Sequence, residues 1–200
     1  MIDTEFCEPF LDYMRKYVEL DDHAIQMIVT NAKEVTIPKK NTILHEGIPC
    51  DKVYFIVSGE ARSYYTDFTG KSITWSFHFN TPASISKNLF ATDYRSFLSK
   101  ENSAISIEAL TDVTAIMFTK EQVDYLIANL FIYERWMRKL NENAYIHTYD
   151  RVFTLLTMTA SQRYEKLLKE EAHLLQMFSS YYIASYLGIA PQSLSRIRGL

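Results

Sequence analysis

Residues 180–198 constrain the fold of this chain most strongly, because small, apolar and turn-forming residues recur there at the spacing of two crossing helices. Two such helices need a small residue where they approach and a glycine where the chain turns with positive φ. Ala184 and Gly188 occupy those two positions. Five apolar residues lie where they would pin the helices together: Ile183, Leu187, Ile189, Leu194 and Ile197. The segment therefore predicts a helix-turn-helix.

The second helix of this motif would expose a polar and cationic face. Pro191 suits its first turn, where a missing N–H costs nothing, whereas Ala190 has no side-chain oxygen with which to cap it. Arg pairs with guanine, Gln pairs with adenine, and Ser reaches bases or phosphates. The residues expected to contact double-stranded DNA are Gln192, Ser193, Ser195, Arg196 and Arg198.

Charge is distributed unevenly along the chain. The net charge is -3, yet the last 50 residues carry six Lys or Arg against three Asp or Glu, whereas the first 150 carry 15 against 21. The acidic total argues against indiscriminate polyanion binding and places any nucleic-acid contact at the C-terminal end. Further candidates for phosphate contacts in this region are Arg151, Arg163, Lys166 and Lys169.

Cysteine and histidine are too few and too scattered for a metal or cofactor site. Cys7 and Cys50 cannot supply the thiolates of an iron–sulfur cluster or a disulfide framework, and they indicate a reducing cytoplasm. The histidines are isolated, which argues against haem, and His45, Glu46 and His78 do not make the His-rich set of a cupin-type enzyme. We therefore expect no catalytic residue, no metal and no evident cofactor.

Neither a signal peptide nor an apolar run of about 18 residues is present in the sequence. This predicts a cytoplasmic protein without membrane contact.

A β-rich region precedes the C-terminal motif. Residues 4–31 have helical spacing, and from Val35 to Phe118 the apolar period changes to that of strands. Gly47, Gly59 and Gly70 lie 12 and 11 residues apart and are expected at turns, because glycine adopts positive φ at little cost. The pattern predicts N-terminal helices followed by a β-roll.

A long helix is expected after the β-roll. Thr119 and Gln122 have the spacing of a capping box, and helical periodicity continues to Thr157. Its apolar stripe favours a coiled-coil seam between two copies, although the spacing also permits simple packing on the β-roll. The predicted dimer-interface residues are Leu126, Leu130, Tyr133, Met137, Leu140 and Ala144.

Beyond Ala144 the apolar stripe shifts around the helix. It continues through Tyr145, Tyr149, Val152 and Leu156. This part is expected to face a different neighbour, for which the C-terminal domain is a candidate.

The predicted fold class is α+β in three parts. Residues 1–118 would form a β-roll sensor domain with N-terminal helices, residues 119–157 a dimerisation helix, and residues 158–200 the helix-turn-helix domain. In this order the parts resemble the Crp/Fnr family of bacterial regulators, and the run from Tyr182 to Arg198 resembles its short, wingless members from Bacteroidetes. The resemblance implies a jelly-roll (double-stranded β-helix) domain of the cyclic-nucleotide-binding type and a homodimer that reads a pseudo-palindromic operator and works with RNA polymerase.

The resemblance also implies where a cyclic nucleotide would bind. In the family, a Gly-Glu pair and an Arg-Ser pair hold the ribose and the cyclic phosphate, and the matching residues here are Lys87, Asn88, Leu89, Asn102 and Ser103. The glutamate is missing, and Asn102 cannot replace the charge of the arginine. We therefore expect no tight binding of cyclic AMP, and the sequence names no other effector.

One alternative remains open, namely a ligand-sensing or interaction module with little DNA affinity. The net negative charge, Ala190 at the helix start and the absence of a β-hairpin wing before Leu200 favour it, because DNA binding normally needs several basic contacts. The two hypotheses share one fold and differ in whether the second helix of the motif binds DNA.

Overall fold

A computed structural model of the chain describes residues 4–199. The predicted outer domain bounds at residues 1 and 200 lie outside this part. Strands within it are Lys33–Ile37 (β1), Thr42–Leu44 (β2), Lys52–Ser58 (β3), Glu60–Thr66 (β4), Ser72–Phe79 (β5), Phe90–Ala91 (β6), Ser106–Ala109 (β7) and Val113–Thr119 (β8). They form two antiparallel four-stranded sheets, ordered β1-β8-β3-β6 and β2-β7-β4-β5. The fold is thus a β-roll with helices at both ends, as the predicted α+β class requires.

Helices flank and interrupt the roll. They are Glu8–Arg15 (α1), Asp22–Thr30 (α2), Ser86–Leu89 (α3), Tyr94–Ser99 (α4), Lys120–Asn129 (α5), Phe131–Thr157 (α6), Ala160–Glu170 (α7), Leu174–Met177 (α8), Ser180–Tyr186 (α9) and Pro191–Arg198 (α10). The strand β8 ends at Thr119, one residue beyond the predicted division after residue 118, and α6 ends at Thr157.

Turns and caps form where the sequence predicts them. Gly47, Gly59 and Gly70 all have φ between 81° and 87°. The hydroxyl of Thr119 accepts from the N–H of Gln122, whose side chain accepts from the N–H of Thr119, so the capping box is formed. These features are confirmed because each depends on a few neighbouring residues.

The predicted long helix is instead two helices. At Leu130 the backbone is extended, with φ −136° and ψ 94°, and this residue separates α5 from α6. Its side chain is buried in the main core. The break allows α5 and α6 to cover different parts of the roll.

The main core lies between the N-terminal helices, the roll and the helices α5 and α6. Trp136 is almost fully buried and packs edge-on against Phe10, which also contacts Phe55 and Phe118. The apolar stripe predicted for a dimer seam belongs to this same core through Leu126, Leu130, Tyr133, Met137 and Leu140.

This burial corrects the predicted dimer interface. The five stripe residues are each at most 8% exposed within a single chain, and Ala144 is half-buried. Their apolar surface is already covered by the chain's own α1 and β-roll, so little of it is left for a partner. Of the two arrangements the spacing permits, packing on the β-roll is the one formed.

We predict a large difference between two glycine-to-alanine substitutions in these turns. Gly47→Ala should cost about 1–2 kcal/mol of unfolding free energy, because its φ of +84° disfavours a Cβ and open space surrounds it. Gly59→Ala should cost more than about 3 kcal/mol, because its Cβ would also lie 2.2 Å from the backbone oxygen of Asp112. Urea unfolding of both variants measures this, and equal losses would contradict the predicted clash.

Candidate functional site

The helices α9 and α10 form the predicted helix-turn-helix. Gly188 has φ +67° in the turn, and Ala184 is fully buried where the helices approach. Ile183, Leu187 and Leu194 are buried around it. The N–H of Ile189 donates to the carbonyl of Ala184 and closes the turn.

The outward face of α10 carries the residues predicted to contact DNA. Gln192, Ser195, Arg196 and Arg198 are exposed, and Ser193 is half-buried. The guanidinium of Arg196 donates to Ser193 within the same face at 3.3 Å. The structure therefore brings all five predicted residues onto one accessible helix.

Two details describe the ends of α10. Pro191 occupies its first turn, and Ala190 makes no side-chain cap, as predicted. At the other end, Arg198 donates to the hydroxyl of Ser180 at 2.9 Å. This bond ties the last turn of α10 to the start of α9.

The C-terminal domain docks on the edge of its own β-roll, which the sequence does not predict. The strand β5 ends its sheet, and α9 lies against it. The hydroxyl of Ser185 accepts from the N–H of Thr74 at 2.8 Å and donates to the carbonyl of Ser72 at 3.2 Å. A helix side chain thus satisfies backbone groups that an edge strand leaves open.

Aromatic packing reinforces this docking. Phe77 of β5 stacks on Phe178 with ring centroids 3.9 Å apart, and Phe79 contacts the same ring. Both phenylalanines belong to the core of the C-terminal domain rather than to that of the roll. Strand β5 is therefore shared between the two domains.

A buried arginine links the domains as well. Arg62 on β4 pairs with Glu108, and its guanidinium lies between the rings of Tyr64, at 4.4 Å, and Tyr182, at 4.3 Å. Because Tyr182 belongs to α9, this cation–π contact crosses the domain boundary.

Beside this boundary lies a cavity of about 400 Å³. Residues of β5, α3 and α6 line it towards the roll, and residues of α7 and α9 line it towards the C-terminal domain. The cavity also reaches main-core residues such as Phe10, Phe55 and Phe118. Of the five residues predicted for a nucleotide pocket, Lys87 lines it, and its ammonium lies 2.6 Å from a carboxylate oxygen of Glu171.

The other four predicted pocket residues have different roles. Asn88 caps α3 and donates to the carbonyl of Phe77 at 3.1 Å. Leu89 is part of the main core, and Asn102 is exposed. Ser103 donates to the buried carboxylate of Asp93 at 2.7 Å. The predicted set of five therefore does not converge on this cavity, because α3 and residues 102–103 are held by separate hydrogen-bond networks.

Two of the proposed phosphate contacts point inwards rather than towards a DNA surface. Arg151 and Arg163 line the cavity, and each has a buried Nε atom. Lys166 pairs with Glu170 at 2.9 Å, and Lys169 is exposed. The capping box of Thr159 and Gln162 could have predicted from the sequence that Arg163 lies in the first turn of α7. The burial of Arg163, however, depends on how the C-terminal domain docks on the β-roll.

His78 on β5 is buried beside the cavity, and its Nε2 is hydrogen-bonded to the hydroxyl of Ser63. Burial lowers the pKa of this imidazole to about 4, because the charged form loses its hydration. His78 is therefore neutral near pH 7.

Comparison with known proteins agrees with this architecture. Residues 34–129 match the family model of the cyclic nucleotide-binding domain. FixK2 from Bradyrhizobium japonicum has a TM-score of 0.70 at 21% identity, covering 84% of this chain and 83% of that chain. The catabolite activator protein of Thermus thermophilus has a TM-score of 0.55 at 16% identity, covering 90% and 83%.

A third structure, described as a transcriptional regulator of the Crp/Fnr family from Eubacterium rectale, has a TM-score of 0.65 at 15% identity, covering 89% of this chain and 82% of that chain. No curated protein sequence matches the chain. Residues 34–129 are thus similar to cyclic nucleotide-binding domains. Over most of its length it has the fold of the Crp/Fnr regulators, which confirms the resemblance seen in the sequence.

Residues 4–199 lack two kinds of feature. No helix described there is long and apolar enough to cross a membrane. The same residues contain no group of three or more His, Cys, Asp or Glu side chains placed to hold a metal ion.

We predict that His78 makes stability fall with acidity. Because its pKa is about 4 in the folded chain and near 6.5 when unfolded, the unfolded state gains a proton first as the pH falls. The free energy of unfolding should drop by about 3 kcal/mol between pH 6.5 and 4 from this group alone.

The check is urea unfolding of the His78→Gln variant across this pH range, with the exposed His23→Gln as the matched control. The His78→Gln variant should lack this part of the pH dependence, and His23→Gln should retain it. Parallel curves for the wild type and His78→Gln would refute the assignment.

Proposed function

We propose that this protein is a transcription regulator that binds double-stranded DNA as a homodimer, without enzymatic activity. The observation that carries the proposal is the exposed polar and cationic face of α10 on a helix-turn-helix. Contact with RNA polymerase belongs to the same proposal.

The face of α10 suits a major groove. Gln192, Ser195 and Arg196 are exposed and can reach base edges, while Arg198 lies at the helix end, where a phosphate would be. The uncapped first turn leaves the backbone N–H of Gln192 for a DNA phosphate, since Pro191 has no N–H and that of Ser193 donates to the carbonyl of Ala190. Few other basic side chains are available, so sequence-specific contacts should contribute much of the affinity.

Dimerisation is proposed through the C-terminal half of α6. The stripe expected to face the C-terminal domain is instead exposed, with Tyr145 at 72% and Leu156 at 80%. Together with Ile146, Tyr149, Val152 and Phe153 it forms a continuous apolar surface. Such a surface marks an interaction site, and its helical spacing fits the same stripe on a second copy.

The effector is proposed to be something other than cyclic AMP. Ser103 lies where the resemblance places the cyclic phosphate, but its hydroxyl is bonded to the buried carboxylate of Asp93. A phosphate there would meet a second negative charge without a compensating arginine. The sensor domain therefore needs a different ligand chemistry.

The dimer interface predicts a difference between two exposed tyrosines. Tyr149→Glu should raise the dimer dissociation constant at least tenfold, about 1.4 kcal/mol, because it places two carboxylates within an apolar contact. Tyr125→Glu on α5 is the matched control, since Tyr125 is 51% exposed and Tyr149 58%. Sedimentation equilibrium measures both, and equal effects would rule out this interface.

DNA binding is tested by selecting random duplexes with the purified full chain. We expect enrichment of a two-fold palindrome with half-sites about one helical turn, ~34 Å, apart. Arg196→Ala should weaken binding to the enriched site by about 1–3 kcal/mol, whereas Arg95→Ala on the exposed face of α4 should not. No enrichment, also with cell extract present, would favour the interaction module instead.

A further inference from the structure

We propose that the cavity between the β-roll and the C-terminal domain binds a small organic anion through the guanidinium groups of Arg151 and Arg163. The ligand class is a molecule with a carboxylate or phosphate group on a flat apolar body. Both groups form the same paired hydrogen bonds with arginine.

Arg151 enters the cavity from α6 with an incomplete set of partners. Its Nη2 donates to the carbonyl oxygens of Tyr186 and Thr74, and its guanidinium lies 3.9 Å from the centre of the Tyr186 ring. Its Nε is buried and has no hydrogen-bond acceptor among the described residues. A donor left unpaired in this way costs free energy unless a ligand accepts from it.

Arg163 on α7 also has an incomplete set of hydrogen-bond partners. Its Nη1 donates to the carbonyls of Met158, at 2.8 Å, and Leu155, at 3.4 Å. Its Nε is also buried without an acceptor in the part of the chain that the structure covers.

Neither arginine has an ion-pair partner. Within residues 4–199 no carboxylate oxygen lies within 4 Å of either guanidinium, whereas the cavity lysines Lys87 and Lys166 are paired with Glu171 and Glu170. Burial is the main cause that lowers the pKa of Arg151; Tyr186 and the carboxylate of Glu171 raise it, and the charge of Arg163 adds a smaller lowering. Asp150 also lines the cavity, but it is exposed and makes no ion pair.

Within the described residues, two guanidinium groups that line one cavity without a carboxylate oxygen in ion-pair range leave this side of the cavity with positive charge that no ion pair neutralises. An anion there would offset the charge of the two guanidinium groups and accept hydrogen bonds from them. This arrangement distinguishes the two arginines from the lysines, whose charges are already neutralised.

The remaining walls indicate the body of the ligand. Trp75 lies 5.8 Å from the guanidinium of Arg151, and Tyr186 lies beside it. A volume of about 400 Å³ is within the range of small-molecule sites, which combine apolar walls with a few polar groups. A flat ring carrying one anionic group fits these features.

Because the two arginines come from different domains, a bound anion would also hold α7 close to α6 and β5. An effect of the ligand on DNA affinity rests on the proposed function. Binding of the anion does not, so the two proposals fail independently.

The test is isothermal titration of the full chain with phenyl phosphate, benzoate and the neutral analogue benzyl alcohol. We expect at least one of the two anions to bind with a dissociation constant of about 1 mM or lower, and benzyl alcohol at least tenfold more weakly. The tighter of the two anions identifies the group that the site prefers. Absence of binding by both anions, or equal binding of benzyl alcohol, would overturn the proposal.

Variants locate the site. Arg163→Gln and Arg151→Gln should each weaken binding of the preferred anion at least tenfold, whereas Arg138→Gln, an exposed arginine on α6, should not change it. Unchanged affinity in both cavity variants would place the anion elsewhere and refute the site. If circular dichroism shows that a variant has lost its fold, the comparison of charged and neutral probes on the wild type tests the proposal instead.

Discussion

Strand β5 depends on the C-terminal domain for its outer edge, and much of the structure follows from this dependence. An edge strand leaves backbone groups and one apolar face open. Here Ser185 bonds the backbone of β5 on both sides of Ile73, and the ring of Phe178 covers Phe77. The sensor domain is therefore completed by the domain that carries α10.

This docking gives the helix α6 two separate tasks. Its first half contributes Trp136 and Leu140 to the core of its own chain. Its second half leaves Tyr149 and Leu156 exposed while Arg151, on another face, turns towards the cavity. A single helix thus connects the folded core, the proposed partner surface and the domain boundary.

Positive charge is divided between the exposed face of α10 and the boundary between the two domains. Arg196 and Arg198 are exposed on α10, where DNA is proposed to bind. Arg62, Arg151 and Arg163 are instead held at the boundary between the domains by carbonyl oxygens, one carboxylate and aromatic rings. The excess of basic residues in the last 50 positions therefore serves two purposes, and only part of it faces outwards.

Features that depend on a few neighbouring residues could be predicted from the amino-acid sequence. Gly59 and Gly188 turn with positive φ, Thr119 and Gln122 cap α5, and the spacing around Ala184 produces the helix-turn-helix. Tertiary structure decided what covers each surface. Periodicity shows that a helix has an apolar face but not whether its own chain or a partner covers that face, so the stripe through Leu126 and Met137 was assigned to the wrong neighbour. Likewise, the burial of Arg151 and Arg163 depends on how two domains distant in sequence pack together.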